Sequence, residues 1–139
     1  MRFAGYAAVF GHPDRGGDVV RGGAFARSLK RGTGAVPLLW QHEAGRPIGR
    51  VEYLREDRRG LRVIGRLSAG AAGREAAALL KEGAVSGLSF GYRVRAAKGP
   101  STGSGQTDGL RELTELELIE VSLVTLPMQP RARVHMVAG

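Results

Sequence analysis

Ser89 lies in Gly87-Leu88-Ser89-Phe90-Gly91, a G-x-S-x-G spacing in which a hydroxyl stands between two residues without side chains. A serine hydroxyl is a weak nucleophile until a base takes its proton, and histidine, with an unperturbed pKa of about 6.5, is the usual base near neutral pH. The chain offers three histidines, His12, His42 and His135, and no cysteine. A catalytic thiol, a disulfide scaffold and a cysteine-ligated metal are therefore excluded. An all-histidine metal site would use nearly every candidate, so neither a metal nor another cofactor is expected. Asp108 and His135 follow Ser89 in the order of the α/β-hydrolase triad. A nucleophile elbow, however, needs a strand before the serine and a helix after it, whereas here a helical pattern ends at Gly83 and the strand-like Tyr92-Arg93-Val94-Arg95 follows. The two glycines keep a physical meaning, because they let another backbone lie close to Ser89, as a peptide substrate requires.

His42 is the best-placed base. It stands where the apolar run Val36-Pro37-Leu38-Leu39-Trp40 meets the turn Glu43-Ala44-Gly45-Arg46-Pro47, rigidly based yet able to face a groove; the plainer alternative is a surface-loop histidine. An acidic partner is offered by Glu120 in Glu117-Leu118-Ile119-Glu120-Val121-Ser122-Leu123-Val124-Thr125. On a strand, Glu120 and Ser122 share one face while Ile119, Val121 and Leu123 take the other. An enclosed Glu120 bonded to the far nitrogen of His42 would fix its tautomer and stabilise the imidazolium. Equally open is an exposed edge-strand glutamate in line with Glu112, Glu115 and Glu117.

The elements that must position these groups are mostly strands. Residues 3–10, 36–41, 48–55, 61–67, 84–96, 110–125 and 133–137 carry strand-like patterns, with Glu56-Asp57-Arg58-Arg59-Gly60 as a hairpin turn between two of them. Helices are expected over 24–31 and 71–82, the second with Ala72, Ala76, Leu79 and Leu80 at helical spacing and Gly83 as a C-terminal stop. The Gly/Ser-rich segment at about 98–109 reads as a flexible surface loop. About seven strands with few helices predict an α+β, mainly β fold: a closed or nearly closed antiparallel barrel with flanking helices, in a single domain over 1–139.

Composition bounds the partners. The chain has 139 residues, 42% of them hydrophobic, and a net charge of +8, enough length to bury a core without staples. No apolar run of membrane-spanning length and no secretory leader pattern occurs, which points to a soluble intracellular domain. The basic excess sits in residues 1–69, with 13 basic against 6 acidic side chains. That excess suits nucleic acid or an acidic partner. Yet arginine outnumbers lysine 18 to 3 in an Ala- and Gly-rich chain, and no arginine run alternates with stacking aromatics. Nucleic acid is accordingly not expected as a specific ligand.

Taken together, the segments Gly5-Tyr6-Ala7-Ala8-Val9-Phe10-Gly11, Gly17-Asp18-Val19-Val20, Leu38-Leu39-Trp40-Gln41-His42, Pro47-Ile48-Gly49, Gly87-Leu88-Ser89-Phe90-Gly91-Tyr92 and Glu120-Val121-Ser122-Leu123-Val124-Thr125-Leu126-Pro127 resemble the tailed-phage prohead maturation protease family. The likeness spans about residues 3–137, and a protease of a phage-derived gene-transfer particle would look the same. That family is similar in fold to the herpesvirus assemblins. The resemblance implies a serine endopeptidase with His42 as base, Ser89 as nucleophile and Glu120 as the acid that orients His42. Ser86 and Ser122 lie near these motifs and are passed over by them. The family's Pro-Ala-Asn-Pro reads Pro127-Met128-Gln129-Pro130 here, and a backbone N–H at Met128 or Gln129 is the expected oxyanion donor. Implied substrates are the major capsid protein and scaffold segments, cut inside an assembling capsid precursor in the bacterial host cytoplasm; a homodimer follows from the assemblin likeness. The rival expectations are a capsid-assembly scaffold or chaperone that keeps the protease fold without turnover, and a basic nucleic-acid-binding barrel.

Overall fold

The computed structural model describes residues 1–99 and 110–139. In chain order the elements are β1 (Arg2–Val9), β2 (Asp18–Val20), α1 (Ala26–Leu29), a short 3-10 turn over Thr33–Ala35, β3 (Pro37–Trp40), β4 (Glu43–Glu56), β5 (Gly60–Leu67), α2 (Ala71–Lys81), β6 (Gly87–Lys98), β7 (Arg111–Val124) and β8 (Val134–Ala138). Most strands earn their place by alternation. In β5, Leu61, Val63 and Leu67 turn inward and are buried while Arg62, Ile64 and Arg66 turn outward. Helix α2 buries Gly73, Ala76 and Leu80 on one side, the spacing that one helical face requires.

Strand β7 organises the sheet. One edge pairs antiparallel with β6 along nearly its whole length. Its other edge is shared by β2 near the start of β7 and β3 near its end, both parallel. The path then runs β3-β4-β5-β1-β8 through antiparallel pairs. Phe3, Phe25, Leu38, Ile48, Leu61, Leu88, Leu113, Leu116, Leu118 and Leu123 fill the interior. Within it Phe25 meets Phe90 edge-on at 5.2 Å between centroids.

Several expectations need correction. The sheet has eight strands and is mixed, because β2 and β3 run parallel to β7. The strand path from β7 to β8 is open, and among the described residues an isolated bridge at Gly87 and Arg133 ties the start of β6 to the segment before β8. The extra strand, β2, is too short for its alternation to register in a sequence rich in turn residues. The helix expected over 24–31 shrinks to α1, whose preceding turn is held by Glu56 accepting from Gly23 N–H at 2.7 Å and Phe25 N–H at 2.8 Å. Lys98 belongs to β6, Gly99 follows it in a bend, and residues 100–109 of the expected loop lie outside the described residues.

Phe25→Ala removes a fully buried ring from the aromatic pair with Phe90. It is expected to cost about 3–5 kcal/mol, read as a lower denaturant midpoint with an unchanged slope.

Candidate active site

Three adjacent strands bring the expected residues together. Ser89 on β6 is the direct register partner of Ser122 on β7, which in turn pairs with Leu39 on β3. Directly opposed residues project to the same face with Cβ atoms about 4.5–5.5 Å apart, so the two serine side chains are neighbours. Two residues before Ser122 on that face stands Glu120, opposite Gly91. Beyond the end of β3 comes His42. Its Nδ1 lies 2.6 Å from Glu120 Oε1, and its backbone N–H donates to Ser122 Oγ at 3.1 Å. Ser122 Oγ donates in turn to Glu120 Oε2 at 2.6 Å. The carboxylate accepts on both oxygens, which makes Nδ1 the protonated nitrogen of neutral His42 and leaves Nε2 as the acceptor.

Where His42 sits is not the five-residue turn that the sequence suggests. Trp40 pairs with Glu43, so β3 and β4 are joined by a hairpin of two residues, Gln41 and His42. Both have positive φ, 52° and 63°, as a type I′ connection demands of its central residues and as glycine or asparagine would adopt with less strain. Neighbouring bonds hold them there. Gln41 N–H donates to the Leu123 carbonyl at 2.9 Å, and Gln41 Oε1 accepts from Thr125 N–H at 3.1 Å. The backbone strain thus coincides with the histidine expected to act as the base.

Glu120 is 7% exposed, and the enclosed reading of this residue holds. Two local devices seat it. The register steps from Gly91 opposite Glu120 to Tyr92 opposite Leu118, so Ile119 is an extra residue on β7, a bulge that re-aims its neighbour. This explains why Ile119 is exposed while Val121 and Leu123 are buried. A Cβ on Gly91 would lie 2.4 Å from Glu120 Oε1, and one on Gly87 would lie 2.8 Å from the Pro127 ring. The glycines around Ser89 therefore make room for the acid at Gly91, and for the Val124 backbone carbonyl and the 127–130 turn at Gly87.

Ser122, which the sequence motifs pass over, is the junction of the site. The signal that could have found it is its place two residues after Glu120 on one strand. Ser89 is 4% exposed, and among the described residues its hydroxyl makes no hydrogen bond to His42. Met128 and Gln129 occupy a turn tied to Arg15, whose N–H donates to the Met128 carbonyl at 2.9 Å and whose Nε donates to the Pro127 carbonyl at 3.0 Å. The Gln129 side chain is buried, with Oε1 accepting from Val9 N–H at 2.6 Å. The remaining candidates lie apart from the network. Ser86 Oγ accepts from Arg133 at 3.3 Å, His135 accepts from Arg62 at 3.0 Å, and His12 lines a small hollow beside Gln129. Among the described residues, no group of three or more His, Asp or Glu side chains is arranged to hold a metal ion.

The Glu120 hydrogen bond raises the His42 pKa above its ordinary 6.5, working against a desolvation that lowers it. A histidine whose folded pKa is raised contributes stability that is complete below its unfolded value and is lost as pH climbs through the folded one. Stability should therefore decline as pH rises from below 6.5 through the elevated value, and Glu120→Gln should flatten that decline in denaturation curves taken across the range. Ser122→Ala strips a partner from Glu120 Oε2 and from His42 N–H. The expected loss is about 1–3 kcal/mol, read as a lower denaturant midpoint.

The prohead protease of Enterobacteria phage HK97 is 37% identical over 94 residues, which cover 66% of this chain and 42% of that protein. The chain thus spans less than half the length of that relative. Among solved structures, the bacteriophage T4 capsid assembly protease matches with a TM-score of 0.68 at 14% identity, covering 91% of this chain and 82% of that one. KSHV protease, solved in complex with a hexapeptide phosphonate inhibitor, matches at 0.58 and 14% identity, over 99% of this chain and 65% of its own. At such identities the likeness is one of fold. The model of the caudovirus prohead serine protease family, by contrast, matches residues 1–139, and the chain belongs to that family.

Proposed function

We propose that this chain is a serine endopeptidase that cleaves capsid-protein and scaffold segments during prohead maturation. The observation that carries the proposal is the network of His42, Glu120 and Ser122, built directly across the strand register from Ser89. Ser89 Oγ attacks the scissile carbonyl carbon while His42 Nε2 takes its proton, and Glu120 stabilises the imidazolium that results. His42 then protonates the departing amine. Water, deprotonated by the same nitrogen, releases the acyl group from Ser89 and completes the cycle.

An N–H of Met128 or Gln129 is assigned to the oxyanion. Support comes from the fixing of this turn by Arg15 and from its packing beside Gly87, two residues from Ser89. Among the described residues, these two N–H groups donate to no backbone carbonyl. Residues 1–139 act in this reading as one protease domain, whose sheet forms a barrel seamed at the Gly87 and Arg133 bridge. Family membership supports an assembling capsid precursor in the bacterial host as the place of action, and the assemblin-like fold supports a homodimer.

A second reading, a capsid-assembly scaffold with the protease fold and no turnover, is favoured by the small exposure of Ser89 and the missing bond to His42. A fluorophosphonate probe separates the two. Labelling of the native chain, lost in Ser89→Ala, is the expected result, and failure of the native chain to label would favour the scaffold. Labelling should rise with pH along a limb set above the ordinary histidine value. Glu120→Gln should slow it less than Ser89→Ala does and shift the limb downward.

A further inference from the structure

A hollow of about 870 Å³ lies away from Ser89, His42 and Glu120. It opens between α2 and the β4–β5 pair and is lined by the apolar side chains of Met1, Leu67 and Ala77 together with Arg50, Arg66 and Arg74. The sheet beside it carries an unusual charge pattern. Arg66 is the direct register partner of Arg50 on β4 and of Arg2 on β1, so three guanidiniums stand in one row across three strands. Like charges directly opposed on a sheet destabilise it. All three share one carboxylate, Glu52, at 2.7 Å from Arg2 and 3.8 Å from each of Arg50 and Arg66. Arg2 and its neighbours hold that carboxyl below the ordinary range, so it is ionised and already engaged. Arg74 adds a fourth guanidinium from α2 and pairs with no carboxylate among the described residues.

We propose that this hollow is a docking site for an acidic polypeptide segment bearing an aliphatic side chain, separate from the bond-cleaving residues. The guanidiniums supply the complement to carboxylates, bidentate and always charged, and the apolar lining takes the aliphatic anchor. Nucleic acid would use the charge alone, since no aromatic side chain lines the hollow to stack a base. The proposal rests on the reading that the chain acts on polypeptides, and it places part of substrate selection away from the scissile bond.

The test uses the full chain and a fluorescein-labelled peptide that repeats two glutamates and a leucine. Controls are the same peptide with glutamine for glutamate, the same with serine for leucine, and a single-stranded oligonucleotide of equal formal charge. Anisotropy should show the acidic leucine peptide binding most tightly. Arg50→Gln, Arg66→Gln and Arg74→Gln combined should weaken it by at least about tenfold, while circular dichroism and the melting temperature stay near those of the parent. Undiminished binding in the triple variant, equal binding of the serine peptide, or tighter binding of the oligonucleotide would each overturn the proposal. Fluorophosphonate labelling of Ser89 in the triple variant should match the parent rate. Absence of labelling in both chains would count against the protease reading and leave the docking site standing.

Discussion

The proposed chemistry depends on one buried carboxylate with two partners. Glu120 accepts from Ser122 on one oxygen and meets His42 on the other, while Ser122 also accepts the backbone N–H of His42. Because both ring and backbone of His42 are bound to the same strand, the imidazole is oriented in advance. This rigidity requires that the end of β3 lie parallel beside the end of β7, and the pairing of Leu38 to Trp40 with Val121 to Leu123 supplies it. The parallel register is thus the structural condition for the site.

That arrangement has a cost, and the surrounding structure sets how large it can be. Two consecutive non-glycine residues at positive φ cost about 1–3 kcal/mol each, and an enclosed carboxylate adds a desolvation penalty unless its oxygens are bonded. The fixing bonds offset about 0.5–1.5 kcal/mol apiece. The remainder falls on the core packed beneath, where Val121, Leu123, Leu38 and Leu88 are fully buried. The strained hairpin and the buried carboxylate thus rest on the same core side chains of β3, β6 and β7.

His42, Ser89 and Glu120 are legible as candidates because each sits in a short segment whose residue types suggest a role, and alternation alone puts Glu120 and Ser122 on one face. Other features were hidden for physical reasons. The two-residue hairpin escaped notice because Gln41-His42 lacks the glycine or asparagine that marks such turns. The bulge at Ile119 has no residue signature at all, being visible only as a step in register. Parallel pairing of β3 with β7 joins segments about eighty residues apart, beyond the reach of periodicity. Ser122 was overlooked for a different reason: a serine that donates and accepts inside a network looks, in sequence, like any serine on a strand. The arginine row across β1, β5 and β4 was equally invisible, since Arg2, Arg50 and Arg66 are neighbours only through register.

The same register argument bears on the basic charge. In the sequence, +8 reads as a diffuse excess that codon usage explains. In the fold, three of those arginines gather around one engaged carboxylate, and a fourth, Arg74, joins Arg50 and Arg66 in lining an apolar hollow. Exposed ion pairs contribute little to stability, and like charges in a row subtract from it, so folding alone gives no reason to keep them together. Two regions of this molecule therefore depart from what stability favours, the strained hairpin that holds His42 and the arginine row. The first departure is what the proposed proton transfer at Ser89 would require. The second is explained by an anionic segment held elsewhere on the same sheet, while the bond to be cut lies at the first.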